Sequence, residues 1–277
     1  MNEMEILKSE ELRDILTQVV QNKLTAVISH LIRGKWHTTN VSLRALTGHT
    51  LHVESLPDET SPLVNMEINQ PVGVSIHENF NRYIFETVVT GFETSVSQAQ
   101  GRRIMLDLPE RMDRMQRRAY SRVPVPKLLN IRVLFWHRGY TNESRQVPLE
   151  NYWQGKLLNI SAGGVQIAVD IEQRPNFKLG QLVGLQFTPM SYQKPIHVEG
   201  QVRHIAQGAE GQRFCVGVEF VGLEASSQGR RKLRRIINTV NDYEKKNRRR
   251  HTKAHAVAVN GPEKAETVSP FGAPEAE

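Results

Sequence analysis

RMQRRAYSR, Arg114–Arg122, separates two blocks of strand-like sequence, and the reading on either side of it decides the fold. Four arginines, Arg114, Arg117, Arg118 and Arg122, fall within it. A guanidinium keeps its charge in a protein, binds phosphate through two parallel hydrogen bonds and stacks flat on rings. Such a run at a domain junction suits an anionic, ring-bearing ligand that reads both domains. A solvated basic linker is the alternative.

Upstream of this segment, Ser9 is placed to cap a helix reaching about Asn22, with Glu10 and Glu11 in its first turn. Leu12, Ile15, Leu16, Val19 and Val20 repeat with helical spacing and give it one apolar face. From Leu24 the period changes to two. Residues 24–32, 35–46 and 49–55 read as strands broken at Arg33-Gly34 and Thr47-Gly48. A loop with Pro57, Pro62 and Pro71 follows, and then strand-like residues 72–78, 82–93 and 102–109. No second helix interrupts them, which predicts an antiparallel barrel or split barrel rather than βαβ units.

Downstream, Pro124 and Pro126 lack amide hydrogens and fix an extended entry into a second all-β block. Residues 131–136, 156–160, 163–170, 181–187, 196–205 and 213–222 are its strands. In the last of these Phe214, Val216, Val218 and Phe220 share a face, leaving Cys215 on the opposite side. Leu233, Ile236, Ile237, Val240 and Tyr243 then mark an amphipathic helix, expected to lay its apolar stripe on the second barrel with its basic residues in solvent. From about His251 the chain is rich in Ala, Glu and Pro, and disorder is expected. The predicted fold is therefore mainly β, with two antiparallel barrel domains. The division is 1–109 for the first, 110–123 for an Arg-rich linker, 124–247 for the second barrel with its helix, and 248–277 for a tail.

Composition narrows the function. The whole chain carries a net charge of +7. Between Arg230 and Arg250 ten Lys or Arg stand against two acidic residues, a local +8, so the basic character belongs to one segment. Charge alone does not make a nucleic-acid-binding protein, and Tyr243 is the lone aromatic within that stretch. A single cysteine, Cys215, excludes an internal disulfide framework. No apolar run approaches the ~20 residues that span a bilayer, and the acidic N-terminus lacks a secretion signal. A cytoplasmic location is expected. His49, His52 and His77 are scattered without metal-ligand spacing, and no Gly-rich phosphate loop, H-E-x-x-H or nucleophile constellation is present. The expectation is a binding protein rather than an enzyme, with no cofactor and no metal.

The arginines acquire a partner in Asn159-Ile160-Ser161-Ala162-Gly163-Gly164, a tight turn between two strands. Asn, Ser and Gly are ordinary turn residues. They also offer an amide that pairs with a guanine edge, a hydroxyl, and a site for close backbone approach. Arg118-x-x-x-Arg122 followed by Asn159-x-Ser161-x-x-Gly164 resembles the PilZ domain, a family that binds the bacterial second messenger cyclic di-GMP. The arginine spacing recurs at Arg114/Arg118, Arg230/Arg234 and Arg231/Arg235, whereas the second motif is expected by chance only about 0.1 times. The order of the motifs, the six-strand pattern and the closing GVEF strand agree with the family.

The resemblance implies that Arg118 and Arg122 grip phosphates and stack on guanine, while Asn159, Ser161 and Gly164 surround a base. Arg117 is a helper that suits a second stacked ligand molecule; Arg114 lies outside the best register and is expected in solvent. The helix-then-strands first half is similar to the two-domain flagellar-brake (YcgR-like) architecture over residues 5–245. That implies control of a protein partner, flagellar motility first among outputs, with recruitment to the flagellar basal body. Asn159 stands where many members have Asp, and a neutral amide gives up a charge-assisted bond to guanine. The rival readings are a nucleotide-independent adaptor, and nucleic-acid or membrane binding through residues 230–250.

Overall fold

A computed structural model describes residues 4–56, 66–94, 102–116, 121–139, 152–208 and 212–259. Among them the chain forms two antiparallel sheets, each closing into a six-strand barrel with extra strands at its rim. The first half contains β1 (Met4–Lys8), α1 (Ser9–Gln21), β2 (Thr25–Ile32), β3 (Lys35–Thr47), β4 (Thr50–Ser55), β5 (Pro71–Glu78), β6 (Asn81–Thr94), β7 (Arg102–Asp107) and β8 (Arg111–Gln116). Strands run in the order β1-β8-β6-β5-β2-β3-β4-β7, and β6 also pairs with β7 to close the barrel. A bulge between Val89 and Gly91 lets the long β6 serve β8 with one end and β7 with the other.

Period two places the core. Val72, Val74 and Ile76 of β5 point into the barrel with Ile28, Val41, Leu43, Leu51, Val53 and Phe85, all at most 1% exposed. Leu12, Leu16 and Val19 of α1 join that core, each burial being worth about 1.5–3 kcal/mol. The capping position of α1 is Lys8 rather than Ser9, because β1 runs directly into the helix. Sequence reading missed β1, whose five residues are held by pairing with β8 instead of by local propensity.

The second half contains β9 (Val123–Pro124), β10 (Arg132–Gly139), β11 (Tyr152–Ser161), β12 (Gly164–Asp170), β13 (Leu182–Phe187), β14 (Ile196–Gln207), β15 (Arg213–Val221) and α2 (Ser227–Val259). The order β10-β13-β14-β15-β12-β11 is closed by β10–β11 pairing, and β9 extends the edge of β11. Phe214, Val216, Val218 and Phe220 face the core as expected, with Cys215 half-buried opposite. Leu233, Ile236, Ile237, Val240 and Tyr243 of α2 cover this barrel. The Tyr243 hydroxyl donates to the Pro189 carbonyl at 2.8 Å, and burial raises its pKa.

Three expectations need correction. The segment 110–123 is not a linker throughout: residues 111–116 are β8, paired with both β1 and β6. Non-local pairing satisfies a backbone whose Arg-rich sequence gave no strand signal. The helix continues through 248–259, into the expected tail, since Lys and Ala favour extending a helix already nucleated. Its basic residues are also not all in solvent, as Arg230 is only 6% exposed.

Candidate functional site

The turn singled out by sequence is a two-residue hairpin, Ala162-Gly163, with Ser161 paired to Gly164. Ser161 is buried; its Oγ accepts from the Gly163 N–H at 3.3 Å and donates to the Gly164 carbonyl at 3.4 Å. A bulge between Leu157 and Asn159 offsets the register so that Asn159 lies opposite Gln166. Asn159 Nδ2 donates to Gln166 Oε1 at 2.5 Å, whereas its Oδ1 is buried with no hydrogen-bond partner. A Cβ on Gly164 would stand 2.3 Å from the Val218 carbonyl oxygen. The close backbone approach that this glycine permits is thus that of β15.

Strand β9 brings the C-terminal end of the arginine segment, Arg122, to the same edge. Asn159 pairs with Pro124 and Ile160 with Val123. Continuing that register one residue brings Arg122 level with Ser161, and Arg122 is exposed there. Arg117 and Arg118 lie outside the described residues. Arg114 does not stand free in solvent as expected: on β8 its Nε donates to Glu5 Oε2 at 2.9 Å, from across the β1–β8 pair.

The turn also abuts the first domain. A small cavity between the barrels is lined by Arg82 and Ile84 of β6, Ala162 and Gly163 of the turn, and Phe220 and Leu223. Ile84 and Met115 pack into the core of the second barrel although they belong to the first sheet. Behind the cavity the residues after β15 are buried between the domains. Gly222 (φ +71°) turns the chain there, and a Cβ on it would collide with the Trp36 ring at 2.2 Å. The buried Ser29 hydroxyl donates to Glu224.

Sequence reading missed the ionic part of this junction. Asp113 of β8, 1% exposed, receives Arg234 at 3.1 Å and Arg230 at 3.5 Å, and Arg230 also meets Glu86 at 3.1 Å. One signal was available. Arg230 sits in the first turn of α2, where a cation opposes the helix dipole and no acidic residue offsets it. A cation so placed calls for a tertiary partner.

The remaining candidates are not drawn together. Among the described residues no group of three or more His, Cys, Asp or Glu is gathered in a way that could hold a metal ion. Asp107 and Glu110 are exposed at the rim of the first barrel. No described helix is long and apolar enough to cross a membrane.

A family model for the PilZ domain matches residues 116–239, beginning where β8 ends and taking in the arginine segment, the second barrel and the first part of α2. The chain carries a PilZ domain over these residues. Among solved structures, MrkH of K. pneumonia is similar at 14% identity, over 89% of this chain and 98% of that one, with a TM-score of 0.49. YcgR of Escherichia coli, solved in complex with c-di-GMP, is similar at 16% identity over 91% and 96%, with a TM-score of 0.33. The inhibitor of motility MotI/DgrA of Bacillus subtilis is similar at 18% identity over 78% and 95%, with a TM-score of 0.31. No curated protein matches the chain in sequence.

Proposed function

We propose that the protein is a cyclic di-GMP effector whose ligand binds where Arg117, Arg118 and Arg122 meet the turn formed by Asn159, Ser161 and Gly164. The observation that carries the reading is the β9–β11 pairing, which sets Val123, next to Arg122, opposite Ile160, next to Ser161, within the residues that match the PilZ domain. The ligand is a dianion with two purines. Guanidinium groups neutralise its phosphates and stack on its bases, which fits the arginine segment. Asn159 carries a side-chain amide, which has the donor and the acceptor that a guanine edge can pair with.

The site abuts the first barrel, so ligand bound there bears on the angle between the domains and on the surface offered to a partner. Flagellar motility is the output we assign, with a component of the motor as partner. The alternative output, transcription, draws on the basic residues of α2: Arg231, Lys245 and Arg249 are exposed.

Isothermal titration with cyclic di-GMP tests the reading. Binding by the wild type that is lost in Arg118→Ala and in Arg122→Ala is the expected result. Wild-type affinity in both variants would overturn it. Titration of DNA at several salt concentrations separates the transcriptional output, since binding through Lys and Arg falls steeply with salt. A pull-down with and without cyclic di-GMP addresses the partner.

A further inference from the structure

The two flanks of the arginine segment are both fastened to one helix. On the N-terminal flank, Asp113 holds Arg234 at 3.1 Å and Arg230 at 3.5 Å, and neighbouring Glu86 holds Arg230 at 3.1 Å. Arg230 Nη1 also donates to the Glu224 carbonyl at 3.1 Å, which ties the start of the helix to the buried connection before it. On the C-terminal flank, Asn247 Nδ2 donates to the Pro124 carbonyl at 2.9 Å. Between these attachments, Leu233, Ile236, Ile237, Val240 and Tyr243 lock the helix against the second barrel.

Lengths make this arrangement consequential. Thirteen residues of α-helix separate Arg234 from Asn247, about 20 Å at 1.5 Å per residue. Eleven residues separate Asp113 from Pro124, and extended chain of that length reaches up to about 36 Å. The covalent connection alone therefore leaves the spacing of the two barrels open, and the helix adds an ionic tie across the junction to the packing of Ile84, Met115 and the residues after β15. The placement of Arg230 agrees: a buried cation at the positive end of a helix dipole is unfavourable unless partners such as Asp113 and Glu86 stand opposite it.

We propose that α2 is a strut belonging to the PilZ domain, which sets the relative position of the two barrels by gripping Asp113 and Glu86 of the first. In the same role it holds the flanks of the arginine segment at a fixed separation. Arg230, Arg234 and Asn247 are then positioning residues that act through the segment they hold. The consequence for ligand affinity rests on the functional reading above; the consequence for domain position does not.

The test uses the full chain in a Cys215→Ser background, with spin labels at Glu11→Cys on α1 and Glu172→Cys on the second barrel, both exposed in the parent. Double electron–electron resonance without ligand is expected to give one narrow distance distribution. The combined variant Asp113→Asn, Glu86→Gln, Arg230→Met, Arg234→Gln removes the charges of this network together, so none is orphaned, and is expected to broaden and shift it. Arg234→Gln alone, at a half-exposed position, is expected to do so to a smaller extent and serves if the combined variant fails to fold. A broad distribution in the parent, or an unchanged narrow one in a folded variant, overturns the proposal. Titration with cyclic di-GMP is the second arm, in which loosening the strut, including by Asn247→Ala, is expected to weaken binding about tenfold through lost pre-organisation. A parent that binds no cyclic di-GMP refutes the functional reading while the distances still decide the strut.

Discussion

Asp113 and Arg234 meet at 3.1 Å across the domain junction, although 121 residues separate them in the chain. Asp113 is essentially inaccessible to solvent, and Arg230, its second partner, nearly so. Asp113→Ala would leave Arg230 with Glu86 as its remaining carboxylate. Removing one partner of a buried pair typically costs about 3–5 kcal/mol. The lower end is expected here, measured as a fall in the urea midpoint. Arg234→Gln, at a half-exposed position, is expected to cost about 1 kcal/mol or less.

Gly164 faces a neighbouring strand rather than open solvent. A methyl group there meets the Val218 carbonyl at 2.3 Å, so the Gly164–Glu219 pairing must give way. Gly164→Ala is expected to destabilise the second barrel by about 1–3 kcal/mol. Faster amide exchange at the Gly164 end of β12 and the facing residues of β15 would register it, and unchanged exchange there would refute it.

Arg122 is exposed, and the proposed site gives it a part in ligand binding rather than in the fold. Arg122→Ala is expected to lower cyclic di-GMP affinity at least tenfold while stability stays within about 0.5 kcal/mol of the parent. Calorimetric titration beside a thermal melt reads both. A loss of stability in step with the loss of binding would assign Arg122 a structural role.

His30 introduces a pH dependence. It is buried, stacks on His37 at 5.7 Å, and its Nδ1 has no hydrogen-bond partner. Burial, with a further push from His37, lowers its pKa from 6.5 to about 4. The folded state therefore refuses a proton that the unfolded state accepts between these values. Its stabilising contribution is complete above about pH 6.5 and is lost as pH falls towards 4, a swing on the order of 3 kcal/mol. Urea unfolding from pH 7 to 4.5 is expected to show this slope, and His30→Leu is expected to flatten it. An equal slope in the variant would place the effect elsewhere.

Local pattern was enough to define both barrels and the site turn. Alternation along 24–55, 72–93 and 196–222 set which side chains face each core, because a strand's period of two holds whatever it pairs with. The Asn159–Gly164 turn was likewise legible, since a tight hairpin depends on a few adjacent residues. Residues 111–116 were not. Their sequence, RMDRMQ, reads as a basic linker, and they become β8 because β1 and β6 supply hydrogen-bond partners from far away in the chain. Arg230 was marked by its place in the first turn of α2, but sequence could not name its partners. Its partners Glu86 and Asp113 lie on the other domain, and only the packing of the two barrels brings those charges within reach. Short-range sterics and hydrophobic period are written locally, whereas the pairing of buried charges depends on where the completed domains meet. That is why the arginine segment and its partner turn could be proposed as a ligand site from sequence, and why the helix was legible there too, whereas its grip on the two flanks of that segment was visible only in the tertiary structure.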